Sequence, residues 1–184
     1  MYNNCMEKEV KTMIEDINGF RLPRYTEIPE VGLYLEQVVR YVSAHLAPLG
    51  EPELTSSMVS NYVKQGLIPS PVKKSYTAEH LARLLFIAVV KPVVPLEGLR
   101  LMFGIQEDNY PLQTAYDYFC DEFENMLGAA FGISPARDGL GKTQSDAKDL
   151  LRNTILATVN KVYLDRYLED YQKRREIRNA RNIC

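Results

Sequence analysis

Residues 54–103 read LTSSMVSNYVKQGLIPSPVKKSYTAEHLARLLFIAVVKPVVPLEGLRLMF, and three consecutive features in them decide the fold. The first is a short helix whose apolar residues, Val59, Tyr62 or Val63, then Leu67, recur at the spacing of one helix face. Its opposite face carries Ser56, Ser57, Ser60, Asn61 and Lys64, all able to hydrogen-bond and none acidic. Gly66 predicts a left-handed cap, and Pro69 prevents the helix from continuing. The second feature is a proline-bracketed loop from Pro69 to Tyr76 that holds Lys73 and Lys74 and has the size of a small wing. The third is an apolar helix capped by Thr77 and running to Lys91, broken by Pro92 and Pro95 before a short helix to Phe103.

Upstream, Val31 to Leu46 predicts a helix with Val31, Leu35, Val38, Val39, Val42 and Leu46 inward. The connection from Ala47 to Leu54 is longer than the three- or four-residue turn of a compact helix-turn-helix. Phe20 to Pro29, with two prolines, is expected to be extended. Met1 to Asn18 is either a short amphipathic helix or a loosely packed arm. Downstream, Gly104 to Pro111 reads as a polar linker. Leu112 to Phe131 is a helix with Tyr116, Phe119, Phe123 and Leu127 along one face, followed by a glycine-containing loop. Ser145 caps a last helix reaching the neighbourhood of Arg178, with a stripe of Ala147, Leu151, Ile155, Val159 and Val162. That helix spans on the order of 50 Å, so either one end projects or meets a partner, or the helix packs back on 112–131. Every periodicity is helical. The expectation is an all-α protein with strand confined to the wing.

The chain has 184 residues, a net charge of -2 and no tryptophan. That balance is not the strongly basic one of many nucleic-acid binders, but the charge is segregated. Residues 54–76 hold Lys64, Lys73 and Lys74 with no acid, a balance of +3. Residues 105–135 hold Glu107, Asp108, Asp117, Asp121, Glu122 and Glu124 with no Lys or Arg, a balance of -6. Residues 172–184 hold five basic residues against Glu176, a balance of +4. Cys5, Cys120 and Cys184 are far apart and offer neither zinc spacing nor a disulfide framework. No membrane-length apolar run is present. A cytoplasmic protein without metal, cofactor or membrane partner is expected.

The segment from Met58 to Pro69 resembles the recognition helix and the start of the wing in the mercury-resistance-regulator (MerR) superfamily. Lys73-Lys74-Ser75-Tyr76-Thr77 is similar to the end of that wing, and Pro95-Leu96-Glu97-Gly98-Leu99 to its fourth helix. The resemblance implies a winged helix-turn-helix and dimerisation through a long C-terminal helix. MerR-type readers usually place an arginine and a tyrosine where this chain has Ser60 and Asn61, and a threonine at Met58. More specifically, Leu22-Pro23-Arg24, the run from Asn61 to Pro71, and Lys74-Ser75-Tyr76 resemble a bacterial family of unknown function, domain of unknown function 1836. That resemblance implies the MerR-like fold and no activity.

Other motifs are weak. Gly139-Leu140-Gly141-Lys142-Thr143 lacks the first glycine of a phosphate loop, Ala136 standing in its place. His45 and His80 have no partner at metal spacing, and a surface role suffices for His80. Asp121 and Glu122 point to different helix faces, so no catalytic pair forms and no enzyme is expected. The reading is an N-terminal arm (1–21), a MerR-like winged helix-turn-helix (22–104) and a C-terminal helical extension (105–184). Its expected function is DNA-binding transcription regulation as a homodimer. Ser56, Ser57, Ser60, Asn61 and Lys64 would face the major groove, and Lys73, Lys74 and Tyr76 would contact the backbone. The alternative is a non-enzymatic protein-interaction module on the same scaffold, supported by the acidic 105–135 stretch, the missing guanine-reading arginine and the overall negative charge.

Overall fold

A computed structural model describes residues 17–50, 54–137 and 145–181. The glycine-lysine run at 139–143 and most of the N-terminal arm lie outside the described residues. Those described form an all-α protein with six helices: α1 (Leu35–Leu46), α2 (Ser56–Lys64), α3 (Ala78–Val90), α4 (Leu96–Asn109), α5 (Leu112–Ala130) and α6 (Asp146–Arg181). Short 3-10 turns at Tyr25–Glu27 and Ala47–Leu49 join them. Strand pairing among the described residues is limited to two isolated antiparallel bridges, Leu33 with Tyr76 and Val72 with Ser75.

The centre is α3. Ten of its 13 residues are buried, as the near-continuous apolar run from Leu84 to Val90 requires of a helix covered on all sides. α1 lies against it through Val38, Val42 and Leu46, and α5 and α6 cover its other sides. The aromatic stripe expected on 112–131 is core: Phe119 is in edge contact with Phe86 of α3 at 4.9 Å and tilted against Phe123 at 5.7 Å.

Helix ends follow their local chemistry. At the end of α2, Gly66 has φ +68°, the Leu67 N–H reaches the Tyr62 carbonyl and the Gly66 N–H the Val63 carbonyl. This is the paired closure that a left-handed glycine permits. Gly132 closes α5 in the same way. The Ser145 hydroxyl accepts from the Lys148 N–H and caps α6.

Three expectations are corrected. Val31 is 79% exposed and α1 begins only at Leu35, because Leu33 is held extended by reciprocal 2.9 Å backbone bonds with Tyr76. The expected linker at 104–111 is mostly the second half of α4: Leu99, Phe103 and Gln106 continue one inward face, and exposed Gly104 does not interrupt it. The expected domain boundary therefore falls inside a helix, and one apolar core joins residues on both sides of it. His80 is not a surface residue but is 5% exposed. Its Nδ1 accepts from the Thr77 N–H at 3.0 Å and lies 2.8 Å from the Thr77 hydroxyl, which closes the first turn of α3.

The last helix packs back along its first half and projects along its second. Its first half packs on α5 and α3 through Ile155 and Val159, with Thr154 and Thr158 buried and bonded to the carbonyls four residues back. Tyr163 still packs on Phe131 and Arg166 lies beside Gly50; beyond Arg166 the helix leaves the body, and Leu164, Leu168 and Tyr171 are 55%, 61% and 55% exposed.

Candidate nucleic-acid interface

α2 is nine residues long and amphipathic. Thr55 caps it, its hydroxyl accepting the Met58 N–H at 3.2 Å. Val59 and Tyr62 turn inward, so Val63 is the half-buried member of the pair left open by the sequence. Ser57, Asn61 and Lys64 then fall on the outward face and are exposed, with Ser56 and Ser60 half-buried at its flank. This face carries no acidic side chain. The Asn61 Oδ1 accepts from Gln65 at 3.3 Å, leaving the amide N–H groups outward. An asparagine so presented can pair with an adenine edge.

The 72–75 turn is the second part of the site. Lys73 and Lys74 both have positive φ, +51° and +63°. Two successive left-handed residues make the mirror-image two-residue hairpin turn, which Asn-Gly adopts readily and a lysine pair does not. Such a conformation costs roughly 1–2 kcal/mol per residue. The turn closes on its own bond from the Ser75 N–H to the Val72 carbonyl and is held from outside, where Tyr76 is locked to Leu33. Gly32 lies so close that a Cβ there would sit 1.8 Å from the Ser75 hydroxyl. Both lysines are exposed at the tip.

Tyr76, expected to contact backbone phosphate, is corrected. It is 5% exposed, its ring in edge contact with His80 at 5.4 Å. Its side chain anchors the turn from within, and the two lysines alone present outward. Arg100 was not anticipated. It extends from α4 to donate to the Gln65 carbonyl at 2.8 Å and pairs with Glu97, setting a cation at the C-terminal end of α2. No local signal marks it, because the contact depends on how α4 folds back.

The acidic stretch is largely consumed internally. Arg24 bonds both oxygens of Glu124 at 2.7 Å and Asp121 at 2.7 Å. The Leu22 N–H donates to Glu124 and the Tyr25 N–H to Asp117, each at 2.8 Å. Glu122 is fully buried, accepts from the Tyr118 hydroxyl and faces Arg152 of α6 at 3.6 Å. Glu107 pairs with Arg83 at 2.8 Å. Asp121 and Glu122 thus serve different faces, as their adjacency required. The described residues contain no cluster of His, Cys, Asp or Glu able to hold a metal ion, and no described helix is long and apolar enough to cross a membrane.

A family model described as Domain of unknown function (DUF1836) matches residues 23–119, just over half of the chain. No curated protein and no solved structure matches it.

Proposed function

The chain belongs to the family Domain of unknown function (DUF1836), and from that premise we propose that it is a DNA-binding transcriptional regulator built on a MerR-like winged helix-turn-helix. In this reading α1 and α2 form the helix-turn-helix, with Ser57, Asn61 and Lys64 toward the major groove and Ser56 and Ser60 at the flank. The 72–75 turn is the wing, and Lys73 and Lys74 grip phosphates on either side. The observation that carries the reading is the strained lysine pair. Left-handed lysines at an exposed tip hold two charges outward where an unstrained Asn-Gly would serve the turn better, and backbone strain of this kind concentrates at functional sites.

The outer half of α6 supports a homodimer. Leu164, Leu168 and Tyr171 are exposed along it. Two copies laid against one another there would cover these side chains, a self-complementary arrangement of the kind a two-fold axis needs. A two-fold dimer reads a palindromic site.

The alternative protein-interaction module draws its support from the acidic stretch, the missing guanine-reading arginine and the net charge of -2. Because Asp117, Asp121, Glu122 and Glu124 hold the protein's own backbone and arginines, the first of these supports is weak, while the other two stand. Titrating Asn61→Ala and Lys73→Ala against a selected site separates the readings. Asn61→Ala is expected to lose about 1–3 kcal/mol of discrimination at one base pair. Lys73→Ala is expected to weaken all sequences alike and lower the salt slope by about one. Two variants indistinguishable from wild type on that site would refute this surface.

A further inference from the structure

We propose that the cavity between α3, α4, α5 and the start of α6 is a binding site for a small uncharged aromatic molecule carrying a hydrogen-bond donor. The cavity has a volume of about 230 Å³. An apolar void of about 150 Å³ already takes benzene, so this one has room for a fused two-ring molecule. Its wall is aromatic, formed by Phe86, Phe103, Tyr116 and Phe119. The exposed lining residues Ile105, Thr114 and Leu150 mark its mouth. Protein interiors normally fill such space with their own side chains, and here the aromatic rings pack on one another around it rather than into it.

Two buried polar atoms of lining residues have no hydrogen-bond partner, the Gln106 Oε1 and the Tyr116 hydroxyl, and the first, which can only accept, sets the chemistry of the occupant. The Gln106 side chain lines the cavity, and its Nε2 donates to the Tyr110 carbonyl at 2.7 Å. A carbonyl can only accept, so the amide orientation is fixed, and the Oε1 of Gln106 is left buried with no hydrogen-bond partner. A buried acceptor without a donor is costly. An N–H or O–H on a flat apolar ligand would satisfy it. An acid is disfavoured, because the Arg83 guanidinium at the cavity edge is already paired with Glu79 and Glu107, the other lining cation, Lys148, lies over the Tyr110 and Tyr118 rings at 6.0 and 5.6 Å, and a charge in an apolar site is expensive. The site is a pocket of the usual kind, mainly apolar with a few polar groups in its wall. It stands independently of the DNA reading.

The test uses the full-length protein with indole as probe and indene as its isostere lacking the N–H. The chain has no tryptophan, so indole emission is unobscured. Wild type is expected to bind indole saturably, with indene competing roughly three- to tenfold less well, the worth of one hydrogen bond. Gln106→Leu is expected to abolish the preference while keeping both ligands. Ala115→Phe is expected to fill the cavity and remove binding of both, and Ala147→Phe plugs it from α6 should the first variant fail to fold. No saturable indole binding by wild type, or undiminished binding by a folded plugged variant, would overturn the site. Equal affinity for indole and indene in wild type would overturn the donor assignment.

Discussion

The Arg24 guanidinium lies fork-to-fork on the Glu124 carboxylate, with both N–O distances 2.7 Å. Neither side chain is more than about a fifth exposed, 21% and 19%, and the carboxylate holds the guanidinium's pKa above its ordinary value, the hydrogen bond being the main cause. The pair ties the stretch before α1 to α5, across residues that are 100 apart in sequence. Arg24→Met leaves Glu124 partly buried and the Leu22 carbonyl without its Arg24 donor. It is expected to cost about 2–4 kcal/mol in denaturant unfolding. The neighbouring Asp121 is 49% exposed, so Asp121→Asn is expected to cost less than about 1 kcal/mol. Equal costs for the two would show that Glu124 is not the anchor.

Gly32→Ala is expected to displace Ser75 and loosen the 72–75 turn, lowering stability by about 1–3 kcal/mol. The clash is with a side-chain oxygen, so Ser75→Gly in the same chain is expected to recover most of the loss. Additive losses in the double variant would mean that Gly32 matters for another reason.

Replacing Lys73-Lys74 by Asn-Gly relieves two left-handed residues and removes two charges. Thermal unfolding is expected to show a gain of up to about 2–4 kcal/mol, while the salt slope of DNA binding falls by about two. A stability loss would mean that the turn is not strained as described.

Burial holds the His80 imidazole below its ordinary value of 6.5, and its Nδ1 must stay unprotonated to accept the Thr77 N–H. The unfolded chain therefore takes up this proton first. The contribution is complete above about pH 6.5 and is lost on further acidification. The unfolding temperature is expected to fall more steeply below pH 6.5 in wild type than in His80→Gln. Parallel profiles would remove His80 as the cause.

The Cys120 thiol is buried, with the Pro23 carbonyl 3.9 Å away, and burial pushes it up to about 12. In a Cys5→Ser, Cys184→Ser background it is expected to resist alkylation near neutral pH until the protein unfolds. Rapid labelling of the folded protein would contradict this burial.

Much of the fold was legible because its signals are local. The glycine at 66, the cap at Thr77, the cap at Ser145 and the stripe on 112–131 each depend on neighbouring residues. What was missed depends on tertiary contact. Val31 looks helical until Leu33 pairs with Tyr76, 43 positions away by number. The acidic run looks like a surface until Arg24 folds onto it. Of the expected site residues, Ser57, Asn61, Lys64, Lys73 and Lys74 are outward, Ser56 and Ser60 flank them, and Tyr76 is inside. A tyrosine beside two lysines gives no hint of which way it faces. The left-handed turn was equally hidden, because Lys-Lys is not a turn signal and only the constraint from Gly32 and Leu33 imposes it.

The most direct measurement is selection of the purified full-length protein against a random-sequence DNA pool at two salt concentrations. The account predicts an enriched two-fold-symmetric motif whose binding falls steeply with salt. Failure to retain any DNA even at low salt would contradict it.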